Sequence, residues 1–169
     1  TTATVTFANT SAALTGTTVD ILDALDSAPA GYKGAIKVTD DAYTADNLKD
    51  IQAATDGKVT LAKLNVELND NYADITAALD GITGYKGAIT LVDATNDEPA
   101  DINDVAKLTT GKLTATLEAT TVITDATVTA LKDVNTKDTI TFAAADSSAD
   151  ATALLALSKL IPTATFASV

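Results

Sequence analysis

The chain contains no cysteine, methionine, tryptophan or histidine, and all 11 of its basic residues are lysines. Without cysteine there can be no disulfide and no thiolate zinc site; without histidine the usual general base and the commonest metal ligand are both missing. Positive charge is in short supply. Against the 11 lysines stand 23 Asp and Glu, a net charge of −12, which repels nucleic-acid phosphates and anionic membrane surfaces. No nucleic-acid partner is expected. No apolar run approaches the ~20 residues that cross a bilayer, so no membrane insertion is expected either. The missing initiator methionine and the lack of a signal-like segment suggest a processed chain or an excised fragment.

The same scarcity bears on catalysis. A Ser-His-Asp triad, a cysteine nucleophile, a G-x-S-x-G elbow and a GxxxxGK[ST] phosphate loop are all absent, which argues against an enzyme. With so many acids some carboxylate pair always looks plausible, and such a pair identifies nothing without a cleft that separates its pKa values.

What the chain does have is periodicity. The hexapeptide GYKGAI occurs at Gly31–Ile36 and again at Gly84–Ile89, 53 residues later. Apolar pairs at helical i, i+3 spacing recur at Leu22/Leu25, Leu48/Ile51, Ile75/Ala78, Ile102/Val105, Val128/Leu131 and Leu154/Leu157. Between them run pairs at the alternating spacing of a strand: Val5/Phe7, Ile36/Val38, Ala62/Leu64, Ile89/Leu91, Ala115/Leu117, Ile140/Phe142 and Ala164/Phe166. A spacing of two marks a strand, and three to four marks a helix. The chain therefore divides into β/α units of about 26 residues with a two-unit superperiod (units near 1–33, 34–57, 58–86, 87–111, 112–137 and 138–169) in a single repeat domain. Val66/Leu68 and Val122/Ile123 are candidates for extra short strands, and Ala8–Gly16 reads as a loop insertion in an irregular first unit.

Local chemistry agrees with that phase. Thr44, Asp70 or Asn71, Asp97 or Glu98, Thr124, and Ser147 or Ser148 stand where helices should begin and can cap free N–H groups. Pro99 suits a first helical turn. Gly31, Gly57, Gly84 and Gly111 fall where helices should end. Lys33, Lys58, Lys86, Lys112 and Lys137 each precede a strand, a row expected to be solvated.

Consecutive strand–helix units form parallel sheets through right-handed crossovers. The alternate strand column reads Thr4/Thr6, Ala35/Lys37, Leu61/Lys63, Ala88/Thr90, Thr114/Thr116, Thr139/Thr141 and Thr163/Thr165, too polar for a sheet covered on both faces. The expected fold is α/β: a one-sided right-handed β/α solenoid, with about seven parallel strands in one sheet and six helices on one face.

Segments 31–60 (GYKGAIKVTDDAYTADNLKDIQAATDGKVT) and 124–142 (TDATVTALKDVNTKDTITF) resemble Ala/Thr/Asp-rich tandem repeats of large secreted or cell-surface proteins, adhesin-like or haemolysin-type, from cyanobacteria and other aquatic bacteria. The resemblance covers most of residues 31–160. It lacks the calcium-binding Gly-Asp nonapeptide and the leucine-rich-repeat consensus, and implies an extracellular or cell-surface structural role without assigning residues.

Three functional expectations follow. The acidic loops around Asp70 and around Asp93 and Asp97 offer oxygen ligands, so calcium is the one cofactor considered; the competing reading is helix caps and turns. The terminal strands, carrying Thr4, Val5, Thr6 and Phe7 at one end and Thr163, Thr165 and Phe166 at the other, have no charge or proline guarding their edges, which suits head-to-tail self-association into a filament, stalk or matrix, or continuation into further repeats of the same chain. The alternative is a binding surface: four strands place T-x-T on the exposed face, a spacing suited to a surface adhesin or a Thr-ladder ice-binding module. Threonine is also simply a favoured exposed strand residue.

Overall fold

The computed structural model describes residues 9–28, 31–92, 98–117, 122–142 and 150–166. In chain order its elements are β1 (Leu14–Gly16), α1 (Thr18–Asp26), β2 (Ile36–Val38), α2 (Ala45–Ala54), β3 (Val59–Leu61), β4 (Leu68–Asp70), α3 (Tyr72–Ala78), β5 (Ile89–Leu91), α4 (Pro99–Leu108), β6 (Leu113–Leu117), α5 (Asp125–Ala130), β7 (Thr139–Phe142), α6 (Ala151–Leu160) and β8 (Thr165–Phe166). Every strand pairing is parallel. The strands form two sheets, β1-β2-β3 and β4-β5-β6-β7-β8.

The helices start where short polar side chains cap them. Thr17, Thr44, Asn71, Thr124 and Asp150 each accept a main-chain N–H of the first turn, satisfying donors the helix cannot. Glu98 makes no such side-chain bond; Pro99, which has no N–H, opens that helix instead. The i, i+3 columns point inward: Leu48, Ile51, Ile75, Ile102, Val105 and Leu131 are fully buried, and Val128 is half-buried. They meet the inward residues of the strands, among them Ile36, Val38, Ile89, Leu91, Leu113, Ala115, Ile140 and Phe142. The intervening strand residues are exposed in the first sheet and half-exposed or exposed in the second. Helix packing follows chain order, each helix resting on the next.

Several expectations need correction. The single sheet of seven strands is instead two sheets, with eight strands among the described residues. The proposed first strand, Val5/Phe7, lies outside those residues. Leu14–Gly16, read as part of a loop, is β1: its short apolar–polar–Gly run looks like a turn in isolation, yet it pairs along β2 from Leu14↔Ile36 to Gly16↔Val38. In β3 the register is displaced from Ala62/Leu64 to Val59 and Leu61, which are buried, while Ala62 and Lys63 are exposed. Leu68 does lead a strand, but as an edge member of the second sheet; Val122/Ile123 forms none, although Ile123 is buried. The last helix is capped by Asp150, not by Ser147 or Ser148, which lie outside the described residues.

The two-unit superperiod is the real structural repeat. Leu14, Ile36 and Val59 sit in register across the first sheet; Leu68, Ile89 and Leu113 do so in the second, 54, 53 and 54 residues later. Each copy is thus a β-α-β-α-β unit, and GYKGAI is its central corner. Gly31 and Gly84 open the hexapeptide with φ of 80° and 74°, a conformation glycine adopts without strain. Tyr32 and Tyr85 are buried, and their hydroxyls donate to the carbonyls of Ala12 and Val66 in the preceding segment. Lys33 and Lys86 are exposed. A Cβ on Gly34 or Gly87 would collide with those same carbonyls, and one on Gly57 or Gly111 with the carbonyl of Gly34 or Gly87. The corner repeats because three chain segments pass at main-chain distance there.

Candidate functional site

The calcium expectation can be judged at Asp70, since Asp93 and Asp97 lie outside the described residues. Asp70 ends β4 and is half-buried; its Oδ1 accepts the Asn71 main-chain N–H at 2.9 Å and the Asn71 side-chain amide at 3.2 Å. The fold brings it to Asp74, on the first turn of α3, and to Asp46, on the first turn of α2. One carboxylate oxygen of each lies within 4.8 Å of the others. A cation already sits among them. Lys49 Nζ is 2.8 Å from both Asp46 Oδ1 and Asp74 Oδ1. Asn71 closes the group by donating to Asp74 Oδ2 at 2.8 Å.

The electrostatics match that arrangement. The Lys49 ammonium, then the Asn71 amide, hold the Asp74 carboxyl below the usual carboxylate range; the Asp46 and Asp74 hydrogen bonds push Lys49 up. These groups cap and cross-link α2 and α3. Sequence reasoning named Asp70 but missed Asp46, Lys49 and Asp74. The visible signal was the i, i+3 Asp46–Lys49 pair on one helix face; the link to Asp74 needs the repeat to be folded.

A second polar seam, at the far end of α5, joins the next copies. Asn103 on α4 donates to Asp133 Oδ2 at 3.0 Å and accepts the Asp133 main-chain N–H at 2.7 Å, with Lys107 Nζ 3.7 Å from Asp133. Lys132, then Asn103, lower the Asp133 carboxyl. Gln52 adds a bond to the Asp80 carbonyl at 2.6 Å in the α2–α3 seam.

Of the self-assembly residues, Thr4, Val5, Thr6 and Phe7 lie outside the described residues. Thr163 precedes β8, and its hydroxyl donates to the Asp138 carbonyl. Thr165 is exposed on β8, the outermost strand of its sheet, whose partner is β7. On the second sheet the outward threonines fall in register: Thr90↔Thr114↔Thr139 in one file and Thr116↔Thr141↔Thr165 in the other. The hydroxyls of Thr141 and Thr165 are 3.2 Å apart. On the first sheet the corresponding file is Thr15↔Lys37↔Thr60, broken by the lysine.

Among the described residues no helix is long and apolar enough to cross a membrane. Neither family models, curated proteins nor solved structures match the chain.

Proposed function

We propose that this chain is a non-enzymatic, extracellular or cell-surface structural module that associates head-to-tail with copies of itself, or with further repeats, into a filament, stalk or matrix. The observation that carries the reading is the outer edge of β8. It is the last strand of a five-stranded parallel sheet, its main-chain groups on that side have no described strand beside them, and no charged residue or proline lies within Thr163–Phe166. Unguarded parallel edges pair with another chain, and a heterologous contact that does not close grows a fibre. The underlying architecture in this reading is a one-sided right-handed β/α solenoid. Chain-order helix packing and the outward-facing threonines and lysines of the strands support it.

Light scattering over a range of concentrations, with electron microscopy of the concentrated sample, tests the reading. The expected result is concentration-dependent elongated assemblies, reduced by Val5→Pro because proline removes a ladder donor and clashes in a sheet. A wild-type chain that stays monomeric at high concentration would overturn it.

One observation favours the second reading, a surface adhesin or ice-binding module: the two threonine files of the second sheet run in register, one over β5, β6 and β7 and the other over β6, β7 and β8. If that face is the functional one, Thr116→Lys and Thr141→Lys remove ligand or ice-crystal binding and leave self-association intact.

A further inference from the structure

Among the described residues the helix row runs from α1 to α6, and these two outer members differ from the inner ones. Between copies, α2 meets α3 through Lys49–Asp74, and α4 meets the turn after α5 through Asn103–Asp133 and Lys107–Asp133. Each forward contact comes from the even-numbered helix of one copy and lands on the odd-numbered helix of the next or on the turn that follows it. The last even-numbered helix, α6, spans Ala151–Leu160, 52 residues beyond Pro99–Leu108 of α4. That spacing puts Leu155 at the position of Asn103 and Lys159 at the position of Lys107. Leu155 is 58% exposed, one of four large apolar side chains left open among the described residues.

The first odd-numbered helix, α1, aligns with α3 at a spacing of 54. Asp20 then stands at the position of Asp74, Ala24 at that of Ala78 and Asp26 at that of Asp80. In α3 those positions receive α2: Asp74 takes Lys49, and the carbonyls of Ala78 and Asp80 take Gln52. In α1 they face no preceding helix of the described chain. The charges of the two end helices are complementary. Within its span α1 carries Asp20, Asp23 and Asp26 and no lysine, while α6 carries Lys159 and no acid.

We infer that α6 of one copy docks on α1 of a second copy, reproducing the α2–α3 seam between molecules, with Leu155, at the place of Lys49, packed against the Asp20–Ala24 turn and Lys159, one turn further on, turned to Asp26. The inference rests on the head-to-tail reading and deepens it. It assigns the contact to the helix layer, where side chains already join α2 to α3 and α4 to the turn after α5, and identifies the partner surface. An exposed leucine set beside a lysine, facing a small residue among acids, gives the contact an apolar centre with a polar rim.

The absence of native cysteine makes the test clean. Ala24→Cys and Leu155→Cys are prepared as single variants, mixed and oxidised. The expected product is the mixed disulfide, and the double variant should give a ladder of linear oligomers on a non-reducing gel. Leu155→Glu, at an exposed site, should weaken association roughly 30-fold in sedimentation analysis, and Lys159→Glu should be rescued by Asp26→Lys. Leu155→Cys homodimers in place of the mixed product, or no cross-link at all, would overturn the inference. So would assembly that survives Leu155→Glu but is lost with Val5→Pro, an outcome that leaves the head-to-tail reading standing on the strand edges alone. A monomeric wild type removes both.

Discussion

At the corner into β5, Gly87 lets the Val66 carbonyl come close and the Tyr85 hydroxyl binds that carbonyl. At the matching corner into β7 the sequence is Asn135-Thr136-Lys137-Asp138-Thr139-Ile140, with neither the tyrosine nor the glycine. Asp138 stands where Gly87 stood and is 1% exposed. Its Oδ1 accepts the Leu113 N–H at 2.8 Å and its Oδ2 the Asn135 N–H at 2.9 Å. The register puts Leu113 where Ala12 and Val66 stand in the first two copies, and there the carbonyls of Ala12 and Val66 take the Tyr32 and Tyr85 hydroxyls. One feature is common to all three corners: a threonine hydroxyl from the following strand's lead-in binds the corner carbonyl, Thr55 to Gly34, Thr109 to Gly87 and Thr163 to Asp138. The lesson is that the repeat conserves a hydrogen-bond problem, not a residue. Three segments meet, their main-chain groups must be satisfied, and either main chain at close approach or a buried carboxylate can do it.

The largest expected effect breaks the third corner. Asp138→Ala leaves the Leu113 and Asn135 N–H groups without their acceptors in a buried site and should cost about 4 kcal/mol of unfolding free energy, from two orphaned donors. Gly87→Ala attacks the second corner by the opposite route, driving a methyl into the Val66 carbonyl; about 3 kcal/mol is expected for overpacking that main chain must relieve. Gly34→Ala should match it, since its Cβ meets Ala12 in the same way. Urea denaturation of the three variants measures all of this. If Gly34→Ala and Gly87→Ala differ widely, the two hexapeptides are not equivalent corners.

A smaller effect sharpens the likeness of the first two copies. Tyr85→Phe and Tyr32→Phe each remove one hydroxyl bond to a carbonyl and should each cost about 1 kcal/mol. Burial also raises the hydroxyl pKa of both tyrosines, and of Tyr43, whose own hydroxyl binds the Lys63 carbonyl and is pushed up to about 12. A raised tyrosine pKa contributes stability below the unfolded value and loses it as pH climbs past about 10. Absorbance titration should therefore show these phenols ionising late, and Tyr85→Phe should flatten the alkaline loss of stability.

These corners also mark how far the residues alone could be read. The periodic Leu48/Ile51 and Ile102/Val105 columns made helix positions legible, because a helix face imposes its spacing on the chain. GYKGAI was legible as a repeat, but its meaning was not: that Gly34 and Gly87 mark close approach follows from segments more than 20 residues distant. The misplaced register of β3 has the same origin. Val59-Thr60-Leu61 and Ala62-Lys63-Leu64 both alternate, and only pairing of Ile36 with Val59 decides between them. Val66/Leu68 marked the extra strand that became β4, but nothing local marked the break between the two sheets. At the acid cluster, Asp70 was visible as a ligand type, whereas Asp46, Lys49 and Asp74 became a group only when α2 and α3 were laid side by side.

The smallest expected effect concerns the seams where copies meet. Asp74, in the first turn of α3, and Asp133, just past the end of α5, each receive the preceding even-numbered helix, and both carboxyls are held low, the first chiefly by Lys49 and the second chiefly by Lys132. A carboxylate whose folded pKa is depressed adds stability that is fully present above its unfolded value, near pH 4, and is lost as pH falls through the folded value. Both seams should thus loosen only on the acid side. Asp74→Asn should leave Tm at pH 7 nearly unchanged, since both partners are partly solvated and such pairs are worth little there, yet reduce the loss of Tm between pH 4 and lower pH. Asp133→Asn should behave alike. Added salt should erase more of the Lys49–Asp74 contribution than of the Asn103–Asp133 one, because screening acts on the ion pair and not on the amide bonds. Calcium provides the counter-test. With Lys49 seated between Asp46 and Asp74, the α2–α3 seam should give no calcium response; a calcium-dependent rise in Tm that Asp74→Asn abolishes would mean that the ion displaces the lysine and that the α2–α3 seam is a metal site after all.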